Sequence, residues 1–395
     1  MSQEEHPLTG PSTRSVHAGE DRLKFARSLV NPVAQTATYI FETVEEFAAF
    51  KAGEVPSYEY GRYGNPTLAV AEAKIAALEG AAAGLLCASG MSAVTTSLLA
   101  LLRGGEHLIL LGDCYRQTTK FCRLLARFGI AFSQVKAWDW DDLERETRSE
   151  TRLLFTEAPT NPHLRVVDLK RLSGFTRDHG LVLLVDSTFA TPVNLRPLEH
   201  GADLVIHSAT KYLGGHNDLV AGGVFGAAEG LAPIREFQRV CGNLADPQTA
   251  YLLVRGLKTL ALRVERQNQT GLALARYLEA HPKVRQVYYP GLASHPDHEV
   301  AARQMTGFGG VVSFEIDGDP QRTRAFVNGL RIPYLAPSLG GVESLVTHPA
   351  TFSYYDLTPQ ERLAAGIPDQ LVRYAAGIEE AEELIADLDQ ALACL

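Results

Sequence analysis

The stretch LVLLVDSTFATPVNLRPLEHGADLVIHSATKYLGG, residues 181–215, decides the fold. It contains two short apolar runs, and each ends in residues with reactive side chains: Asp186 after the first run, and Ser208, Thr210 and Lys211 after the second. Continuously apolar runs of this length are typical of strands that a parallel sheet buries on both faces. Ligands of such sheets bind beyond the carboxyl ends of the strands, so we expect these residues to share one crevice.

The same pattern extends in both directions along the chain. Residues 84–89, 107–111 and 152–157 also read as buried strands, and amphipathic segments between them read as helices. Asn65 followed by Pro66 favours a helix start, and Gly80 favours its end. This βα alternation predicts an α/β fold with a mostly parallel sheet and helices on both faces.

The character of the sequence changes twice, which predicts three parts. Residues 1–62 lack sustained periodicity and suit an extended arm that crosses another surface. Residues 63–250 form the α/β domain, and 251–395 form a smaller C-terminal α+β domain. A chain of 395 residues is long enough for two or three such units, because a single core rarely grows past about 250–300 residues.

Composition narrows the class of protein. Lys and Arg number 37 against 46 Asp and Glu, a net charge of −9, which argues against nucleic acid as a partner. The five cysteines form no C-x-x-C pair, and the N-terminus is too polar for a signal peptide, so we expect free thiols in a reducing cytoplasm. No metal is expected, because His295 and His298 have metal-like spacing but lie in a proline-containing loop that favours a solvated turn.

The segment from Gly80 to Leu102 carries no charged residue and is long enough to span a membrane. The dipeptide Ser89-Gly90 in its middle favours a turn, however. We therefore interpret the segment as a buried strand, a turn and a helix, and we expect no membrane contact. A helix that opens at Ser89-Gly90-Met91 would present free N–H groups and the positive end of its dipole, which favour a phosphate.

The other strand ends add to this candidate site. Glu157 with Asn161 ends one strand, and Asp186 with Thr188 ends the next. No G-x-G-x-x-G or G-x-x-x-x-G-K-[ST] motif is present, so neither a dinucleotide nor a nucleoside triphosphate is the expected ligand. An acid, a lysine and a phosphate cradle are what pyridoxal phosphate requires: Lys211 for the Schiff base and Asp186 to keep the pyridine nitrogen protonated.

The sequence resembles the Cys/Met-metabolism pyridoxal-phosphate enzymes, the γ-subfamily of fold type I, from about Thr13 to Leu392. The motifs that carry the resemblance are YGRYGNPT, SGM, DCY, PTNP, VDSTFATP, HSATKYLGGHND, APSLGGVESL and the arginine of LVRYAAGIE. Within the family it is most similar to cystathionine γ-synthases of the plant type. The resemblance implies the pyridoxal-phosphate-dependent transferase fold.

The resemblance also implies residue roles. Lys211 would be the Schiff-base lysine and the base, and Tyr115 would stack on the cofactor and assist proton transfer. The residues implied around the cofactor are Ser89, Gly90, Met91, Asn161, Asp186, Thr188, Ser208 and Thr210. The substrate would contact Ser338, Thr347 and Arg373, and Arg373 would bind its α-carboxylate. Tyr60 and Arg62 would reach the phosphate from a neighbouring subunit, with Tyr60 also near substrate, in a homotetramer built from active dimers.

The implied reaction is γ-replacement on an O-activated L-homoserine by L-cysteine, which gives L-cystathionine. A γ-lyase acting on cystathionine, methionine or another γ-substituted amino acid such as canavanine is the alternative, because Gln117 stands where plant-type enzymes have Lys. Pro337 agrees with the plant type, but it replaces the glutamate that bacterial γ-synthases and γ-lyases often have before Ser338, so it also keeps the alternative open. An α/β binding protein and a nucleotide-dependent oxidoreductase are further alternatives, and both predict no Schiff base.

Overall fold

Two β-sheets organise residues 9–395, the part of the chain that the computed structural model describes. The strands are β1 Ala83–Cys87, β2 His107–Leu111, β3 Ala131–Val135, β4 Thr151–Glu157, β5 Val182–Asp186, β6 Leu204–His207, β7 Gly222–Gly226, β8 Val284–Tyr288, β9 Val311–Ile316, β10 Tyr334–Leu335, β11 Leu345–Thr347 and β12 Leu371–Ala375. The α-helices are α1 Pro11–His17, α2 Val44–Lys51, α3 Pro66–Glu79, α4 Gly90–Leu101, α5 Arg116–Leu125, α6 Trp140–Glu146, α7 Leu169–Asp178, α8 Thr191–Asn194, α9 Ala228–Cys241, α10 Pro247–Leu257, α11 Leu260–Ala280, α12 His298–Gln304, α13 Pro320–Gly329, α14 Pro349–Phe352, α15 Pro359–Ala364 and α16 Ala381–Ala393.

The first sheet has seven strands in the order β1-β7-β6-β5-β4-β2-β3. Strand β7 is antiparallel to both of its neighbours, whereas the pairs among β6, β5, β4, β2 and β3 are parallel. The carboxyl ends of six strands therefore lie along one edge. This confirms the predicted α/β fold with a mostly parallel sheet.

Both faces of this sheet are buried, which explains the continuously apolar strands. Along β2, Leu108 and Leu110 pack into one hydrophobic cluster, and Ile109 and Leu111 pack into another on the opposite face. Successive side chains of a strand point to opposite faces, so helices on both sides require an apolar residue at every position.

The uncharged stretch 80–102 forms β1, a turn and α4, as the turn chemistry predicts. Before it, α3 begins and ends where the sequence indicates: the Asn65 side chain accepts the Thr67 N–H at 2.8 Å, and Gly80 ends the helix with a φ of +72°. Among residues 9–395, no helix combines the length and the apolar character that crossing a membrane requires.

The second sheet has five strands in the order β10-β11-β12-β9-β8 and is mostly antiparallel. Its central strand β12 carries Arg373, which pairs in register with Thr347 of β11 and Ser313 of β9. A large apolar cluster joins this sheet to α3, α10 and α11. The strand that holds Arg373 is thereby packed against the rest of the molecule.

Two strands were missed and one local expectation was wrong. Strands β3 and β7 carry too weak an apolar pattern to be recognised, and the predicted arm contains two short helices, α1 and α2, within its described residues 9–62. The loop at His295 is not solvated: His295 is 4% exposed, because Asp297 bonds Arg165 at 2.6 and 2.9 Å and holds the loop against the connection after β4.

Candidate active site

The carboxyl ends of the first sheet open into a cavity of about 410 Å³. Residues from both sheets and the connections between them line it: Ser89, Gly90, Met91, Val94, Tyr115, Thr118, Glu157, Pro159, Asn161, Asp186, Thr188, Phe189, Ser208, Thr210, Lys211, Pro337, Ser338, Leu339, Ser353 and Arg373. Most of the residues proposed from the sequence therefore meet in one place.

Lys211 lies in the turn that follows β6, with its amine inside the cavity. Its Nζ donates a hydrogen bond to the Ser338 hydroxyl at 2.7 Å. Burial, together with the nearby Arg373 guanidinium, lowers the pKa of Lys211 to about 8. A lysine in this state is neutral for a large fraction of the time near pH 8, so it can act as a nucleophile or a base.

Arg373 enters the same cavity from β12. Its Nη1 donates to Asn161 Oδ1 at 3.1 Å, and its Nη2 donates to the Ser338 carbonyl at 3.0 Å. Its Nε is buried and has no hydrogen-bond partner in the described part of the chain. Burial lowers the pKa of Arg373 to about 10, so the group stays charged at neutral pH and can bind a carboxylate.

Ser338 links these two cations. Its side chain accepts from Lys211 while its carbonyl accepts from Arg373, and the residue has a φ of +125°. Residues other than glycine rarely adopt this backbone conformation, and they persist in it only where the surroundings impose it. The strained turn therefore sets the relative position of the lysine amine and the guanidinium.

Asp186 ends β5 on the floor of the cavity. Its Oδ1 accepts the Thr188 N–H at 2.9 Å and the Thr188 hydroxyl at 2.5 Å. Burial raises the pKa of Asp186, whereas the two bonds from Thr188 and the nearby His207 oppose the rise. The hydroxyl of Thr188 in turn accepts the Ser208 N–H at 2.8 Å, so the ends of β5 and β6 are tied together.

The N-terminus of α4 also lines the cavity. Its first intrahelical bond runs from the Ala93 N–H to the Ser89 carbonyl at 3.0 Å, which places the Gly90 and Met91 amides in the open first turn. A Cβ at Gly90 would lie 2.7 Å from Ser208 Cβ, so only glycine allows this close approach. The resulting cradle of amides and hydroxyls, with Thr210 beside it, matches the donors that a phosphate needs.

Tyr115 lines the cavity and is 46% exposed. The next residue is Arg116, whose guanidinium donates to the Ser353 carbonyl, pairs with Asp356 at 2.5 Å and lies 5.2 Å from the centre of the Tyr354 ring. The segment 353–356, in which Ser353 lines the cavity, is thus held against the first residue of α5.

Three residues proposed from the sequence lie elsewhere in this chain. Arg62 donates to the Arg239 carbonyl and lies 5.5 Å from the ring of Tyr60, and both residues line a separate cavity of about 410 Å³. Thr347 is buried beside Arg373, and its hydroxyl donates to the Arg373 carbonyl at 3.4 Å. It supports the strand of Arg373 from the adjacent position of β11.

Other contacts of the site have only weak signals in the sequence. Glu157 is recognisable as a strand end, but nothing in the sequence shows that its side-chain oxygen accepts the Tyr115 N–H at 2.5 Å. The contact between Arg116 and Asp356 joins residues 240 positions apart in the chain. Among residues 9–395, no group of three or more potential metal ligands is assembled.

The arrangement fits pyridoxal phosphate. The α4 cradle can take a phosphate, Asp186 can pair with the pyridine nitrogen, Lys211 can hold the aldehyde carbon, and the unpartnered Nε of Arg373 is free for a substrate carboxylate. The fold and the cavity together define a pyridoxal-phosphate-dependent enzyme of fold type I.

Comparison with known proteins identifies the family. The model of the family described as "Cys/Met metabolism PLP-dependent enzyme" matches residues 12–393. The chloroplastic cystathionine gamma-synthase 1 of Arabidopsis thaliana is 50% identical over 389 residues, which cover 98% of this chain and 69% of that protein. The L-methionine gamma-lyase of Pseudomonas putida is 42% identical over 388 residues, 98% of each chain.

A solved structure is similar over the same length. The crystal structure of metB from Corynebacterium glutamicum superposes with a TM-score of 0.91 at 36% identity and covers 98% of each chain. The chain belongs to the family of Cys/Met metabolism PLP-dependent enzymes, and its cofactor is pyridoxal phosphate. The family assignment and the α/β fold expected from the sequence are confirmed.

Proposed function

We propose that this enzyme catalyses γ-replacement on an O-activated L-homoserine by L-cysteine, which forms L-cystathionine. The observation that carries this proposal is that the chain is more similar to the plant cystathionine gamma-synthases, at 50% and 49% identity, than to the methionine gamma-lyase, at 42%. Pro337, which lines the cavity before Ser338, agrees with the plant-type sequence pattern.

In this proposal the chain's own residues bind the substrate and move its protons. Pyridoxal phosphate, when bound, supplies an electron sink for charge that develops at the substrate α-carbon. Arg373 binds the α-carboxylate, because its charged fork is fixed by Asn161 and Ser338. Lys211, with its lowered pKa, takes the α-proton, and Ser338 holds its amine in place.

The cofactor contacts follow from the same cavity. Ser89, Gly90, Met91, Ser208 and Thr210 hold the phosphate, while Asp186, fixed by Thr188, pairs with the pyridine nitrogen. Tyr115 covers the ring and assists proton transfer. Thr347 acts near the substrate by supporting Arg373.

Assembly is part of the proposal. Tyr60 and Arg62 line a cavity other than that of Lys211, which supports a role for them in a neighbouring subunit's site. The segment before them exposes large apolar side chains, Leu23, Phe25, Leu29, Ile40 and Val44, of the kind that a subunit contact buries. We propose a homotetramer of active dimers in the cytoplasm, with an arm over 1–62, a cofactor-binding domain over 63–250 and a C-terminal domain over 251–395.

The second candidate is a γ-lyase. It is favoured by the 42% identity with L-methionine gamma-lyase over 98% of both chains and by Gln117, which stands where plant-type enzymes have Lys. Such an enzyme would act on cystathionine, methionine or another γ-substituted amino acid such as canavanine.

Product analysis separates the two candidates. O-succinyl-, O-acetyl- and O-phosphohomoserine, cystathionine, methionine and canavanine are each supplied with and without cysteine. The proposal predicts cystathionine from at least one O-activated homoserine when cysteine is present. Release of 2-oxobutanoate at the same rate with or without cysteine, and no cystathionine, would establish the lyase instead.

A further inference from the structure

Glu157 is a buried carboxyl group in the cavity that the proposed reaction does not use. It is the last residue of β4 and pairs in register with Asp186, the last residue of β5. Its side chain is 5% exposed and lines the cavity. A carboxyl group in this position must either neutralise a cation, hold a proton or accept hydrogen bonds, because an unpaired buried charge is costly.

The hydrogen bond of Glu157 goes to the backbone of the residue that covers the cofactor. Its Oε1 accepts the Tyr115 N–H at 2.5 Å. Tyr115 is the N-cap residue of α5, and its own side chain does not cap the helix. A glutamate within a helix often accepts the N-cap N–H in this way, and here a glutamate from a different element takes that place.

This bond determines how Tyr115 stands over the cavity. The residue has extended-type backbone angles, φ −48° and ψ 129°, between the loop after β2 and the first turn of α5. The residue is about half exposed. The bond to Glu157 therefore restrains the backbone from which the ring extends into the cavity.

The neighbouring carboxyl group decides the charge of Glu157. Two buried carboxylates at paired strand ends repel each other, so one of them keeps a proton. Asp186 receives two bonds from Thr188, whereas Glu157 receives the one bond from Tyr115 within the described residues. Burial, and next the Asp186 charge, raise the pKa of Glu157 well above its usual range, so the proton belongs on Glu157.

We propose that Glu157 is a positioning residue that, as a neutral carboxylic acid, anchors the backbone of Tyr115 over the cofactor and leaves Asp186 as the single negative charge on the cavity floor. Glutamine reproduces this role, because it has the same shape, is neutral and keeps an oxygen acceptor. Methionine has a similar volume but accepts no strong hydrogen bond. Glu157→Gln therefore tests whether a negative charge is needed at this position, and Glu157→Met tests whether the hydrogen-bond acceptor is needed when the volume is kept.

The test compares holoenzymes of Glu157→Gln and Glu157→Met with the natural chain. The readouts are the visible circular dichroism per bound cofactor, the cofactor dissociation constant from equilibrium dialysis, and kcat and KM. For Glu157→Met we expect weaker circular dichroism, a dissociation constant raised on the order of tenfold and a lower kcat. For Glu157→Gln we expect all values within about threefold of the natural chain.

Glu150→Gln and Glu150→Met are the matched controls, because Glu150 is exposed and adjoins the opposite end of β4. Circular dichroism and cofactor affinity do not depend on which substrate the enzyme uses, so they test this inference even if the proposed reaction is wrong. The inference is overturned if Glu157→Gln is as impaired as Glu157→Met, or if Glu157→Met leaves both cofactor readouts unchanged. If Glu157→Met does not fold, Glu157→Gln decides alone: cofactor readouts within about threefold of the natural chain support the inference, and a cofactor dissociation constant raised on the order of tenfold overturns it.

Discussion

Three side chains, Lys211, Ser338 and Arg373, form the smallest unit of the site. Two of them are cations that repel each other, and Ser338 accepts a hydrogen bond from each. An amine with a lowered pKa thus lies near a guanidinium, and within residues 9–395 neither group forms a salt bridge with a carboxylate. The proposed base and the proposed carboxylate-binding group are thereby held at a fixed separation.

Substitution of Arg373 tests the carboxylate clamp. Arg373→Lys keeps a charge but loses the planar fork, so we expect KM for the amino-acid substrate to rise on the order of 10- to 100-fold, as for the loss of one charge-assisted bond. Steady-state kinetics measure KM for Arg373→Lys and for the natural chain, and Arg285→Lys, at an exposed arginine, is the control. An unchanged KM would show that the substrate carboxylate binds elsewhere.

The lowered pKa of Lys211 predicts a pH dependence. Only the neutral amine reacts with the cofactor, so the rate at which cofactor-free enzyme takes up pyridoxal phosphate covalently should rise with pH and level off above about pH 8. In Arg373→Gln the midpoint should move upward, because a nearby positive charge that disfavours the protonated amine is removed. A midpoint near the usual 10.5 in the natural enzyme would contradict the burial of this amine.

At the scale of elements, α3 shows how local sequence and long-range contacts combine. Asn65 caps the helix through its Oδ1, and its Nδ2 donates to the Ala34 carbonyl at 2.8 Å and to the Tyr39 hydroxyl at 3.1 Å. One side chain thus starts the helix and fastens the segment that precedes it.

Two substitutions separate these contributions. Asn65→Ser keeps a cap acceptor and loses the bonds to Ala34 and Tyr39, whereas Asn65→Ala loses both the cap acceptor and those two bonds. We expect the free energy of unfolding to be about 1 kcal/mol lower in Asn65→Ala than in Asn65→Ser. Urea-induced unfolding measures the difference, and equal losses would show that the cap contributes nothing.

Elements with a strong local signal could be predicted, and those shaped by distant contacts could not. The cap of α3 and the buried strands β2, β4, β5 and β6 follow from short-range patterns. Strand β7, with sequence GGVFG, lacks such a pattern because its glycines serve packing: a Cβ at Gly222 would lie 2.2 Å from the Ser89 carbonyl oxygen. Strand β3 is largely half-exposed, so its apolar signal is weak.

The features of the candidate site also fall into those that follow from local sequence patterns and those that depend on distant contacts. Lys211, Asp186 and the Ser89–Met91 turn directly follow predicted strands, so their convergence follows from parallel topology. The bond from Tyr115 to Glu157 and the pairing of Arg116 with Asp356 depend on the exact geometry of loops. Asn161 was placed at the site because it follows a predicted strand, whereas the proposed role of Arg373 rests on the family resemblance.

At the scale of the whole molecule, the proposed sharing of Tyr60 and Arg62 between subunits makes a distinctive prediction. A dimer of one Lys211→Ala chain and one Arg62→Ala chain should contain one complete site, because the intact Lys211 of one chain meets the intact Arg62 of the other. Purified mixed dimers should therefore regain about half of the natural activity per dimer, well above either parent. If Arg62 acts within its own chain, the mixed dimer stays as inactive as its parents.

The most direct measurement is to reduce the holoenzyme with borohydride and map the modified residue by peptide mass spectrometry. We expect loss of the yellow colour and the mass of the reduced cofactor on Lys211 alone, with no such addition in Lys211→Ala. Modification of a different lysine, or an unmodified Lys211 in cofactor-saturated enzyme, would show that Lys211, in the turn after β6, does not hold the cofactor.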